Sequence, residues 1–383
     1  TTTNWLASRP EKYPTGLHAE RQGRVIYVAA GAHVTIRNFE LTGGRAGRGG
    51  GVYVEDASAV IEGNWINGNV AFSPGLSPAY GGGLACRDSD CDVGRNRITG
   101  NTVSAIYGAG GGVHVQRGTL SLWANTIQEN EVTVLCDAGG LALNDTEADL
   151  SGNHVLSNSA PLGRGGGVLT VNGTRLRSYG DTLAGNQAMN GGGVLCSSGS
   201  LEAASLFLHG NQALESGGAA YLEDSDASFT NTVVVGNDAA VGGSGLFVSD
   251  STARLVHVTL ARNVQGDGVG IVLAGISRAM ITNTIVASHT TGISVGSAST
   301  LTGQSVLWHQ NVTTNVSGGG SVAIHGAVTA DPLLASDGYH LGAGSAALDQ
   351  GIEVMVDQDV DGEPRFNTPD LGADEYWGPV HLH

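Results

Sequence analysis

Lysine is almost missing from this chain. Of 383 residues, 18 are basic, and Lys12 is the only one of these that is not arginine. Against them stand 35 aspartates and glutamates, giving a formal charge of −17. Nucleic-acid binding needs a basic face to displace counterions from phosphates, so no nucleic-acid partner is expected. No apolar run approaches the ~20 residues that carry a helix across a bilayer, so no transmembrane segment is expected. Proline occurs only 9 times and the aromatics number 20 (6 Phe, 5 Trp, 9 Tyr), so the chain is neither a proline-rich linker nor collagen-like. The four cysteines, Cys86, Cys91, Cys136 and Cys196, are too few for a disulfide scaffold. Thr1 follows no methionine and no apolar leader, as expected of a mature or trimmed chain. Few cysteines and lysines, with abundant Gly, Ser, Thr and Asn, suit a secreted bacterial protein.

Glycine is what the chain has in excess, 61 residues or roughly twice the ordinary ~7%. Much of it recurs in one pattern. A glycine run followed by alternating apolar residues appears as Gly49-Gly50-Gly51-Val52, Gly81-Gly82-Gly83-Leu84 and Gly110-Gly111-Gly112-Val113. The same marker continues through Leu141, Val168, Val194, Ala220, Leu246, Ile271 and Ile293, at spacings that fall from 32 to 22 residues. A second column follows each marker: Asn69, Asn101, Asn130, Asn158, Asn186, Asn211, Asn237 and Asn263, then His289 and Asn311. Marker to asparagine is always 17 or 18 residues, whereas asparagine to next marker shrinks from 15 to 4. One half of each repeat is therefore fixed in length, and the other is a loop that tapers along the chain.

The fixed half alternates like a strand, as in Ala59-Val60-Ile61-Glu62 and Leu120-Ser121-Leu122-Trp123. No helical periodicity of ten or more residues appears, and the units are too short for propeller blades. Short strands at this period stack as the coils of an all-β, single-stranded parallel β-helix, a solenoid of about ten to twelve coils. Parallel crossovers predict a right-handed one. The asparagine column is expected to form an amide ladder inside the turns. Domain limits follow from the repeat: an entry segment 1–24, coils over 25–325, and a tail 326–383 expected to cover the open end of the solenoid.

The glycine-run and N-x-I-x-G-N columns resemble those of bacterial right-handed β-helix proteins of the polymorphic-outer-membrane-protein type. The tail segments Asp331-Pro332-Leu333-Leu334, Gly344-Ser345-Ala346-Ala347-Leu348-Asp349, Asp359-Val360-Asp361-Gly362 and Asp370-Leu371-Gly372-Ala373-Asp374-Glu375-Tyr376 resemble the choice-of-anchor Q segment. The resemblance implies a secreted, extracellular or cell-surface-anchored protein. It does not imply one activity, because adhesins, carbohydrate binders and polysaccharide-cleaving enzymes share such repeats.

Candidate chemistry is scattered. The longest loops, in the first half, would raise a wall carrying Tyr80, Tyr107, Glu131, Asp137 and Arg164, with the last three as candidate catalytic residues. Tyr53, Leu169, Leu195, Tyr221, Phe247 and Val272 share one outward strand position, and Tyr53, Tyr221 and Phe247 join Tyr80 and Tyr107 as candidate ligand-binding aromatics. This stripe could bind sugar, mediate weak self-association of a monomer, or lie covered. An acidic column, Asp56, Asp88, Asp145, Asp224 and Asp250, reads as turn chemistry or as a track for calcium or sugar. In the tail, Asp357, Asp359 and Asp361 match the first half of a calcium loop whose twelfth position, Thr368, is not glutamate. Calcium is the one candidate cofactor. Cys86 and Cys91 flank one turn within reach of a disulfide, and Cys136 and Cys196 lie too far apart to bridge. With no recognisable catalytic motif, the expected function is binding of a polysaccharide or surface protein. The alternative is a polysaccharide lyase or glycoside hydrolase in the loop-walled groove.

Overall fold

The computed structural model describes residues 15–366 and 368–378, so the expected entry segment is seen only from residue 15. Every regular element among the described residues is a β-strand. The chain divides into two compact units, Thr1–Leu176 and Arg177–His383.

In the first unit each coil makes up to four strands, as in Val52–Glu55, Ser58–Glu62, Trp65–Asn67 and Val70–Phe72. Coil stacks on coil with parallel pairing, and the register joins marker to marker: Val52 to Leu84, Leu84 to Val113, Val113 to Leu141, and Leu141 to Val168. Alternation then sends Ile61, Ile66, Leu84, Ile98, Leu122 and Ile127 into a common interior, where all are fully buried. Burial of each stabilises the fold by about 1.5–3 kcal/mol. The glycine runs let backbone meet backbone. A Cβ on Gly83 would lie 2.7 Å from the Gly112 carbonyl oxygen and 3.0 Å from Asn101 Nδ2.

Two asparagine ladders line the corners of this unit. Asn64, Asn96, Asn125 and Asn153 form one, each Nδ2 donating to the next Oδ1 at 3.0 Å. Asn69, Asn101, Asn130 and Asn158 form the other at 2.9–3.1 Å. Each amide also donates to a backbone carbonyl of the preceding coil, as Asn101 Nδ2 does to Ile66 O. The turn between the first two strands is made by Asp56, Asp88 and Asp145, all at positive φ of 49–52°. The acidic column thus occupies the turn, with Arg117 at the same place in the intervening coil and bonded to Asp88 at 2.6 Å. That contact holds the Asp88 carboxyl below its usual range.

The second unit repeats the plan. Val194, Ala220, Leu246, Ile271, Ile293 and Val316 stack in register. Asn186, Asn211, Asn237 and Asn263 continue a ladder at 3.0–3.1 Å, and His289 and Asn311 complete it. Coils extend past the boundary expected at residue 325, because the last strand is Ser321–Thr329.

The tail departs from its expected role as an end cover. The last strand pairs with Thr300–His309 and remains mostly exposed, while the tail runs along the flank of the coils. There Ala261, Ile285, Ala287 and Leu307 pack with Leu341, Ala347 and Leu371, and Val233 packs with Val360 and Ala373. The physical cause lies in the outward positions of the third strand of each coil. They are mostly polar in the first unit (Arg97, Thr126, Gln128, His154, with Trp65 and Leu156 as exceptions) and apolar in the later coils here (Val233, Val235, Ile285, Ala287), so this flank requires a cover. Polar contacts fix the tail in place. Asn283 holds Ile352 through both its N–H (2.9 Å) and its carbonyl (2.7 Å), and Asn231 Nδ2 donates to Gln358 O at 2.6 Å.

Candidate functional site

The outward side of the second strand in the first unit carries the most regular polar surface. Register aligns His33, Ser58, Asp90, Thr119 and Glu147 in one row, and Thr35, Val60, Asp92, Ser121 and Asp149 in the next. Strand alternation forces this arrangement, since the residues between them, Ala59, Cys91, Leu120 and Ala148, point inward and are buried. A cavity of about 430 Å³ opens over the rows, lined by His33, Ser58, Asp90, Asp92, Thr119 and Ser121 among others.

Hydrogen bonds between coils set the side chains. His33 Nδ1 bonds Ser58 Oγ, and Thr119 Oγ1 donates to Asp90 Oδ1 at 2.7 Å. Trp123 Nε1 donates to Asp92 Oδ1 at 2.7 Å. The indole lies across Gly94, where any Cβ would overlap the ring, and the Arg95 guanidinium sits 4.5 Å from its centroid. Glu62 binds Arg37 and Arg95, each at 2.7 Å, so both arginines beside the groove are paired. Beneath it, the Cys86–Cys91 disulfide closes the turn that leads into Asp90 and Asp92. Cys136 and Cys196 are buried and outside any disulfide, with burial pushing the Cys136 thiol up to about 11.

None of the loop-wall candidates lines this groove. Asp137 and Arg164 do meet, through an ion pair of 3.2 Å and a bond of 2.8 Å from the Arg164 N–H to Asp137 Oδ1. Glu131 stands exposed on its own short strand, Glu131–Val132, six residues earlier in the chain. Tyr80 lies 4.5 Å from the His114 ring under the Arg48 guanidinium, and Tyr107 is exposed on its loop.

The stripe of outward residues is largely covered, contrary to a free platform. Tyr53 is buried, Arg24 lies over its ring at 4.8 Å, and Tyr27 stacks on it at 5.7 Å. Both phenols donate to Glu55, at 2.8 and 2.9 Å, and hold that carboxylate below its usual range. Burial and the Glu55 bond push Tyr53 up to about 12. In the second unit Leu195 is buried, while Tyr221 and Phe247 are half-buried and stack at 5.0 Å.

The tail does not bring Asp357, Asp359 and Asp361 together as ligands. Asp359 is buried, and both of its oxygens accept backbone N–H groups: Oδ1 from Asp361 (2.9 Å) and Glu363 (2.8 Å), Oδ2 from Glu375 (3.0 Å). This carboxylate shapes the turn, with three of its acceptor sites taken by backbone N–H groups. Asp361 instead faces His340 and Asp374, with one ligand atom from each of the three lying within 4.8 Å of the others. Burial drives the Asp361 and Asp374 acids upward, Asp374 to about 7.

Residues 24–213 match the family model described as the right handed beta helix region. The chain is an all-β, right-handed parallel β-helix of about 12 turns. No curated protein matches its sequence. Among solved structures it is similar to the crystal structure of pectate lyase Pel9A, with 14% identity, a TM-score of 0.43, and coverage of 92% of this chain and 86% of that one. It is also similar to the Azotobacter vinelandii mannuronan C-5 epimerase AlgE4 A-module, with 12% identity, a TM-score of 0.35, and coverage of 78% and 89%.

Proposed function

We propose that the protein binds a neutral polysaccharide along the groove of the first unit, in a secreted or surface-attached setting. One observation supports the reading above others: hydroxyl and carboxylate side chains recur there on a single row, one per coil, over a cavity of about 430 Å³. Strand spacing sets successive residues of a row ~4.8 Å apart, close to the length of a sugar unit, so they can meet successive hydroxyls. Trp123, half-buried and held by Asp92, supplies an aromatic edge at one side. Asp90 and Asp92 put two carboxylates on the groove wall, and the Arg37 and Arg95 guanidiniums beside it are both held by Glu62. A uronate chain would be repelled, which favours a neutral glycan. The disulfide supports an oxidising compartment, and the tail's resemblance to anchor segments supports attachment to a surface.

Calorimetric titration of the full chain with neutral and uronate-containing oligosaccharides tests the proposal. Binding to a neutral series, lost at least tenfold in Asp90→Ala and Trp123→Ala and retained in Glu131→Gln, is expected. Preference for uronates, or equal binding by all variants, would overturn it. A lyase or hydrolase reading predicts instead new reducing ends or ultraviolet-absorbing unsaturated products from the same mixtures.

A further inference from the structure

We propose that His340, Asp361 and Asp374 form a binding site for a divalent transition-metal ion of the zinc class, tying three separate segments of the tail together. The donor set is one imidazole and two carboxylates whose ligand atoms lie within 4.8 Å of one another. Closing to bonds of ~2.0–2.2 Å asks only for small side-chain rotations. A nitrogen donor among oxygens favours zinc or manganese over calcium and magnesium, which take all-oxygen shells.

Two features support a cation beyond the clustering of acids. Asp374 is more than nine-tenths buried, yet only its Oδ2 has a hydrogen-bond partner among the described residues, the Leu341 N–H at 2.7 Å. A buried carboxylate with a single backbone donor is costly to keep charged, and a cation held at the cluster would offset that cost. The imidazole is also oriented from behind. Asp337 takes its Nδ1 at 2.8 Å and is itself fixed by the N–H groups of Tyr339 (3.1 Å) and His340 (3.2 Å). Nε2 therefore points into the cluster, 3.1 Å from Asp361 Oδ2. A carboxylate behind a histidine is the usual support of a metal-ligating imidazole. The nearby arginine gives no alternative counter-charge, because Arg365 is committed to Glu375 at 3.1 Å.

The test uses the full chain, stripped with chelator and dialysed, titrated separately with zinc, manganese and calcium chloride. One zinc ion is expected to bind with micromolar or tighter affinity and to raise the melting temperature, since a ligand of the folded state stabilises it by mass action. His340→Gln and Asp361→Asn, both at partly exposed positions, should each weaken zinc binding at least 100-fold. Asp337→Asn should weaken it about 10- to 100-fold through orientation alone. Far-ultraviolet circular dichroism confirms that each variant remains folded. Zinc affinity weaker than millimolar would overturn the site, as would a His340→Gln variant that binds like the parent. Calcium binding insensitive to His340 would place the ion on oxygens elsewhere and equally reject it.

Discussion

His289 replaces an asparagine in the ladder of the second unit, with its Nε2 3.1 Å from Asn263 Nδ2 and its Nδ1 3.2 Å from Asn311 Oδ1. Asn263 Oδ1 is already used by Asn237, so Asn263 presents an N–H and the ring must accept at Nε2 and donate from Nδ1. Only the neutral imidazole can do both.

Acid should therefore weaken the fold through this residue. Burial lowers the His289 pKa from 6.5 to about 4. The folded value is below the unfolded one, so the stabilisation is complete above pH 6.5 and is lost as pH falls from 6.5 toward 4. The loss amounts to about 3 kcal/mol at 1.36 kcal/mol per unit. His114 and His257, each lowered to about 3 by burial, act in the same direction over a window that reaches from pH 6.5 down to about 3. Urea unfolding of the parent and of His289→Asn at pH 7.5 and 4.5 isolates the ladder's share. The variant should lose less stability on acidification, and equal losses would show that His289 does not depend on its neutral form.

The disulfide offers a second test. It closes a turn with a sequence separation of only 5, so its effect on the unfolded chain is modest, about 2 kcal/mol. Cys86→Ser with Cys91→Ser should lower the unfolding free energy by that order. Because Asp90 and Asp92 leave this turn directly, glycan affinity should fall as well. A double variant with unchanged unfolding and unchanged binding would separate the bond from both roles.

The interior was legible in the sequence because it repeats. The spacing between Val52, Leu84 and Val113 is the strand register itself, and the asparagine spacing is the ladder itself. Alternation gave the inward residues but not what lies over the outward ones. Tyr53 alternates as an exposed residue would, yet it is buried, with Tyr27 and Arg24 from the preceding coil over its ring. The groove was missed although Asp90, Asp92 and Trp123 stand at plain outward positions, because no repeated motif marks them. The tail's position had a readable signal. The outward pair in the third strand changes from Arg97 and Thr99 to Val233 and Val235, then Ile285 and Ala287, which marks a flank needing cover. His340 and Asp374 are 34 positions apart, and no local pattern links them.

Arg365 and Glu375 form a buried pair, with side chains 2% and 1% exposed and 3.1 Å apart. The guanidinium also donates to Asn231 Oδ1 and to the carbonyls of Gly372 and Ala373, at 2.8–3.1 Å. Removing one partner leaves a buried charge alone, so Arg365→Ala should cost about 3–5 kcal/mol. Replacing both, as Arg365→Met with Glu375→Gln, should cost less than the single change. Thermal melts rank the three proteins, and a single variant as stable as the parent would deny the pair any part in holding the tail.

Deleting residues 331–383 should strip the flank on which the tail lies. Ala261, Ile285, Ala287 and Leu307 would then form one apolar strip, running coil to coil in register. Exposed apolar strips of that kind drive association. The truncated protein should elute from size-exclusion chromatography as oligomers or aggregates, where the full chain elutes as one smaller species. An end cover would give the same first result by freeing the edge of the last coil, so a second variant is needed. Ile285→Ser with Leu307→Ser makes the flank polar but leaves the terminal strand, Ser321–Thr329, unchanged. If the tail acts by covering the flank, these two changes should return the truncation to a monomer. If it acts at the end, they should not, because the last strand's unpaired edge would still be available to a second molecule.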